Sequence, residues 1–113
     1  MTKISEMQCV PCKGDTPALT QAEIDRYLPE VPGWEVVSEE GVPQLKRVFK
    51  FKNFAQALAF TNRVGAAAEE VDHHPALLTE WGSVTVRWWT HTAMGLHTND
   101  FVMAHRTSAL YEE

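Results

Sequence analysis

The sequence predicts an α+β fold: a four-stranded antiparallel sheet with three helices on one face, in the order α-β-β-α-β-β-α. Three observations predict it. Two pairs of short β-rich runs are each joined through a glycine-containing turn, a long stretch with helical periodicity separates them, and helix-start residues stand at Thr20, Asn53 and Thr98. Hairpins alternating with helices bury their apolar faces together when the helices lie across one side of a shared sheet.

Residues 1–18 read as a flexible N-terminal arm ahead of a single domain at 19–113. Thr20-Gln21-Ala22-Glu23 has the spacing of a capping box, with Leu19 and Ile24 placed as a hydrophobic staple, so a helix should run from Gln21 to Leu28 and stop at Pro29. Trp34 to Ser38 and Gln44 to Phe51 read as strands joined through Gly41-Val42-Pro43. In the second of these, Leu45, Phe49 and Phe51 share one face, and Lys46 and Lys50 the other.

Asn53 is the expected N-cap of a long helix, with Phe54, Leu58, Thr61, Val64, Ala68 and Val71 as its core-facing stripe. That helix ends against a local rule, since Glu69, Glu70 and Asp72 gather at the negative end of its dipole. Ala76 to Trp81 and Val84 to Thr90 then flank Gly82-Ser83, a two-residue hairpin signal. This register opposes Trp81 to Val84, Thr79 to Val86 and Leu77 to Trp88 on the core face. On the other face it opposes Ala76 to Trp89 and, if the ladder extends, His74 to His91. Thr98 is the expected cap of a last helix reaching Tyr111, with Asn99 and Asp100 in its first turn.

Composition narrows the function classes. The chain has 113 residues, 44% hydrophobic and 22% charged, enough for one core. Ten basic against fifteen acidic residues, net charge -5, argue against a nucleic-acid partner. No run approaches the roughly 20 apolar residues of a membrane span, and a basic-then-apolar leader is missing, which predicts a cytoplasmic protein. Cys9 and Cys12 form a C-x-x-C with Pro11 inside it and no second pair, read as part of the arm rather than as a redox or zinc motif.

The chemistry gathers at Asp72-His73-His74-Pro75, preceded by Glu69 and Glu70. Histidine is the one side chain whose ordinary titration lies near neutrality. If register brings His91 to the pair, three readings compete: a metal site, histidines satisfying local hydrogen bonds, and general acid–base catalysis on a small molecule. Against a metal stand the missing H-E-x-x-H motif and the divergence of neighbouring side chains in an extended chain. Trp89 shares the predicted face of His91 and is placed to line a pocket for a flat heterocycle, whereas His97 and His105 carry less weight.

Glu69, His73-His74-Pro75, Trp81, His91 and Asp100 together spell E-x3-H-H-P-x5-W-x9-H-x8-D. This pattern resembles that of the pterin-4a-carbinolamine dehydratases, and the similarity extends from about Leu19 to Tyr111, including Pro32-Gly33-Trp34 and Trp89-Thr90-His91. The resemblance implies three helices on a four-stranded antiparallel sheet and a hydro-lyase that removes water from 4a-hydroxytetrahydropterin, recycling the cofactor of aromatic amino-acid hydroxylases. It implies no metal and no cofactor of its own, a pterin substrate, and a homodimer or homotetramer. By carry-over, His73, His74 and His91 are the acid–base set, with His73 and His91 transferring protons; Glu69, Asp72, Pro75, Trp89 and Asp100 contact the pterin or orient the imidazoles. Leu77 and Asn99 depart from the tryptophan and arginine some members carry there, which bears on substrate preference more than on the reaction. A regulatory role as a dimerisation cofactor for a partner protein is the alternative that the resemblance also carries.

Overall fold

Local capping chemistry sets where the helices begin. In the computed structural model, which describes residues 3–8 and 17–112, α1 (Gln21–Tyr27) opens on the expected capping box. The Thr20 hydroxyl accepts the Glu23 N–H at 3.2 Å, and the Glu23 carboxylate accepts the Thr20 N–H at 2.9 Å. That donated N–H holds the Glu23 carboxyl below the usual carboxylate range. At Pro29 the chain tightens into a 3-10 turn, Leu28–Glu30, where the proline's missing N–H costs nothing. α2 (Phe54–Val71) opens at Asn53, whose side chain accepts the Gln56 N–H at 2.8 Å.

β1 (Glu35–Glu39), β2 (Val42–Lys50), β3 (Ala76–Glu80) and β4 (Ser83–Trp88) form one antiparallel sheet in the order β1-β2-β4-β3. The first hairpin is tighter than expected. Glu40 and Gly41, at φ 52° and 82°, make a two-residue turn with both residues left-handed, which leaves Val42 and Pro43 inside β2. Pro43 faces Ser38 on β1 but lies short of Leu45, where the ladder to β4 begins, so no ladder bond to β4 is lost. Leu45 and Phe49 are buried as predicted.

The second hairpin corrects the expected register. Thr79 opposes Val84, Leu77 opposes Val86 and Ala76 opposes Arg87, each two positions from the expected partner, and the loop is Trp81-Gly82. A slip of two leaves every side chain on its face, so alternation alone cannot detect it. The turn is held by the end of β2: the Gly82 carbonyl accepts the Phe51 N–H at 2.9 Å, and a Cβ at Gly82 would stand 3.4 Å from the Phe51 oxygen. Trp81 is therefore 75% exposed rather than in the core, and β4 ends at Trp88, before His91.

α2 also turns a different face inward. Its buried residues are Ala57, Phe60, Val64, Ala67 and Ala68, while Phe54 and Leu58 of the expected stripe are 49% and 43% exposed. The Phe60 ring decides the rotation: it nests against Phe49 at 4.8 Å, Phe51 at 5.2 Å and Tyr111 at 5.8 Å. The alanines on that face then let the helix approach the sheet. The Thr61 and Thr79 hydroxyls join α2 to β3 at 2.6 Å.

α3 (Thr98–Glu112) packs its buried face on the sheet through polar bonds as well as apolar contacts. The buried Trp88 indole N–H donates to Thr107 Oγ1 at 3.1 Å, and the Thr107 hydroxyl donates to the Met103 carbonyl at 2.6 Å. Trp34 donates to Ser108 at 2.9 Å and the Tyr111 hydroxyl to the Lys50 carbonyl at 2.9 Å. Part of the N-terminal arm is held too: Ile4 is buried and its N–H donates to Glu30 at 2.9 Å. Cys9 and Cys12 lie outside the described residues.

Thr98 is already inside α3, and His97 takes the expected capping place. Its ring Nδ1 accepts the Asn99 N–H at 3.0 Å, while its own N–H donates to the Asp100 carboxylate at 2.9 Å. This is reciprocal capping close to a capping box, except that the imidazole accepts from the second helical residue rather than the third. Burial pushes the His97 imidazole below its ordinary value, with Asp100 opposing the shift and His73 adding to it.

Two stability predictions follow from these contacts. Thr107→Val leaves the Trp88 N–H buried without an acceptor and should cost roughly 1–3 kcal/mol, read as a lower midpoint in urea unfolding; Thr107→Ser should retain most of it. Because His97 titrates below the ordinary imidazole value of 6.5 when folded, the unfolded chain binds protons more readily there. Its contribution is complete above that value and is lost as pH falls below it. Wild type should therefore lose stability relative to His97→Asn, which keeps a capping group, between pH 7.5 and 5.5 in chemical denaturation. Parallel curves would refute this.

Candidate active site

The end of α2 separates the two adjacent histidines. Asp72 is left-handed, at φ 52° and ψ 42°, a conformation that aspartate tolerates better than most residues. Its N–H returns to the Ala68 and Glu69 carbonyls, and the His73 N–H reaches the Ala68 carbonyl at 3.2 Å. This closes the helix in a Schellman motif. Asp72 thus serves the turn, and it is exposed. Glu70 pairs with Arg106 of α3 at 3.1 Å, and Glu69 meets His74 Nε2 at 3.3 Å. The three acids at the helix end each have a local structural use that their charge pattern alone concealed.

His73 points inward. Its Nε2 lies 2.7 Å from Asp100 Oδ1, its ring stacks on Trp88 at 5.6 Å and 8°, and its side chain is only 12% exposed. Asp100 is fully buried in the first turn of α3. Its other oxygen, Oδ2, accepts the Thr90 hydroxyl at 2.8 Å and the His97 N–H at 2.9 Å. Three donors around a buried acid form the set that a carboxylate accepts.

His74 faces outward and is half exposed beside Glu69. Pro75 follows it and leads into β3, disfavouring helix at His74. His91 does not oppose His74: it opens a 3-10 turn, His91–Ala93, and its ring lies 4.7 Å from Trp89, tilted by 45°. The register slip is the cause, since position 74 continues the ladder toward Trp89 rather than His91. Among the described residues, no hydrogen bond or ring contact joins His91 to His73 or His74.

The arrangement therefore offers a buried imidazole–carboxylate pair, an exposed imidazole beside an acid, and a third imidazole against an indole. Such groups can give and take protons. Among the described residues, no three His, Cys, Asp or Glu side chains converge as a metal site. Two concavities, about 470 and 580 Å³, lie elsewhere. One is between Ile4–Met7 and α3, the other between Val31–Gly33, Arg47 and Ser108, and none of the three histidines lines either.

Sequence reasoning gave Thr90 no role, assigned Trp88 to the core and set His97 aside, yet all three touch the His73–Asp100 pair or its carboxylate. His97 was legible in principle, because it stands three residues before Asp100 at capping-box spacing. Thr90 lies between Trp89 and His91 in the recognised pattern, yet only the three-dimensional position of α3 shows what its hydroxyl meets.

Comparison with known proteins relates the sequence and the fold to one family. A family model described as Pterin 4 alpha carbinolamine dehydratase matches residues 17–110. A Chlorobium limicola protein provisionally named pterin-4-alpha-carbinolamine dehydratase is 58% identical over 112 residues, covering 99% of each chain. A solved structure described as a transcriptional coactivator/pterin dehydratase from Brucella melitensis superposes with a TM-score of 0.74 at 32% identity, over 82% of this chain and 97% of that one. A second, a pterin dehydratase-like protein described as a RuBisCO assembly factor in the alpha-carboxysome, gives 0.59 at 25% identity, over 70% and 89%. With the family model spanning most of its length and a close relative matching it nearly end to end, the chain belongs to the pterin 4 alpha carbinolamine dehydratase family.

Proposed function

We propose that this chain catalyses dehydration of a 4a-hydroxytetrahydropterin to quinonoid dihydropterin and water, recycling the cofactor of an aromatic amino-acid hydroxylase. The observation that supports the reading is His73 held 2.7 Å from a fully buried Asp100, two residues that the sequence resemblance carries into the site. In the reaction, the C4a–O bond breaks with its electrons on oxygen, which takes a proton from one imidazole and leaves as water. The N5 lone pair forms the C4a=N5 bond as N5 gives its proton to another imidazole. One proton is given and one taken, so the enzyme ends with its net protonation unchanged.

In this reading His73 and His91 transfer the protons and His74 binds the pterin or shares that work. Asp100 orients His73, Glu69 supports His74, Trp89 supplies an aromatic wall, and Asp72 and Pro75 place the doublet. The reading includes a cytoplasmic homo-oligomer; the exposure of Phe54 and Leu58 on α2 supports apposition of a second copy. A second reading, partner binding of a regulatory kind, draws on the roles described for the two solved neighbours and on Trp81 and Leu78 standing 75% and 57% exposed on the β3–β4 hairpin. Recovery of a stable partner by a His73→Ala protein that still supports growth would favour it.

The catalytic reading is tested by following freshly generated 4a-hydroxytetrahydropterin in the ultraviolet. Wild type should accelerate its decay, and His73→Ala or His91→Ala should lower kcat by roughly 10²–10⁴-fold. A spontaneous rate unchanged by wild-type protein would sink the proposal. In the same assay, His74→Ala should raise KM more than it lowers kcat.

A further inference from the structure

We propose that Thr90 is a positioning residue that, through Asp100, fixes His73 as the Nε2–H tautomer, so that Nδ1 is the atom that takes the pterin N5 proton. The assignment of Nδ1 to N5 rests on the dehydratase reading; the tautomer does not. Asp100 has two oxygens, and Oδ2 is already engaged by the Thr90 hydroxyl at 2.8 Å and the His97 N–H at 2.9 Å. Oδ1 is turned to His73 Nε2 at 2.7 Å, and a carboxylate can only accept, so Nε2 carries the hydrogen. A neutral imidazole has a single N–H, which leaves the Nδ1 lone pair open to a proton.

The support beneath the hydroxyl is rigid. Thr90 is 2% exposed, its N–H donates to the Gly95 carbonyl at 2.8 Å, and its carbonyl accepts the Ala93 N–H at 3.2 Å. Trp88, stacked nearly parallel on the imidazole, opposes tilting of the ring away from Oδ1. Catalysis then divides by burial. His73 takes the N5 proton as C4a=N5 forms and C4a–O breaks; the departing oxygen draws its proton from an exposed imidazole, His91 or His74, that exchanges with water. His73 returns its proton to solvent after product leaves.

Nitrogen-15 spectra of the ligand-free protein, at a pH where the imidazoles are neutral, read the tautomer directly. Wild type should show His73 protonated at Nε2. Thr90→Val, which keeps the shape and removes the donor, should give a mixture of tautomers and a kcat lower by roughly ten- to a hundredfold with KM little changed. Thr90→Ser should restore both. If Thr90→Val does not fold by circular dichroism, Thr90→Ala supplies the same readouts. A wild-type His73 protonated at Nδ1, or a folded Thr90→Val with unchanged tautomer and kcat, overturns the proposal. Wild-type protein with the expected tautomer but no effect on dehydration would instead remove the catalytic reading and leave the positioning intact.

Discussion

A single buried carboxylate organises this molecule. Asp100 has no exposure, and a charge taken out of water is tolerated only when its lone pairs find donors. The donors come from three parts of the chain: His73 just after α2, Thr90 just after β4, and His97 at the start of α3. Placing the acid in the first turn of α3 adds the favourable end of the helix dipole. The end of α2, the exit from the sheet and the entry to α3 are thereby tied to one functional group. The interaction that closes the fold here also aims the inward-facing imidazole of the doublet.

The element order was legible because each helix start carries its own chemistry, as at Thr20 and Asn53, and because the strands alternate cleanly. What the sequence misjudged were choices between locally equivalent arrangements. A two-residue slip in the β3–β4 ladder preserves both faces, so it took the Phe51–Gly82 bond to choose the register. On α2, two overlapping stripes both include Val64 and Ala68, and the aromatic cluster around Phe60 decided between them. Thr98 looked like a cap by type, but the acid at Asp100 could reciprocate only with His97. Within the site, the doublet and Asp100 were visible as residues; their pairing was not, because it depends on how α3 lies against the sheet.

Buried polar pairing and exposed apolar surface separate along this chain. The pair around Asp100 is internal, whereas the large exposed apolar side chains, Phe54, Leu58, Leu78 and Trp81, lie on α2 and the β3–β4 hairpin. The solved neighbours are described with roles as different as coactivator and assembly factor on a similar scaffold. A fold whose imidazole–carboxylate pair is inside and whose large apolar side chains stand outside can change one without disturbing the other.

The Schellman closure of α2 has a mechanical meaning. Because the His73 N–H is still bonded to Ala68, the imidazole rides on α2 as if it were the helix's last residue, while its carboxylate rides on α3. Glu70 and Arg106 brace the same two helices on the surface at 3.1 Å. The imidazole–carboxylate distance is therefore a gauge of the spacing between α2 and α3. Any load applied along the outer flank of α2, where Phe54 and Leu58 stand in solvent, is transmitted down a stiff rod to the hydrogen bond that aims the imidazole.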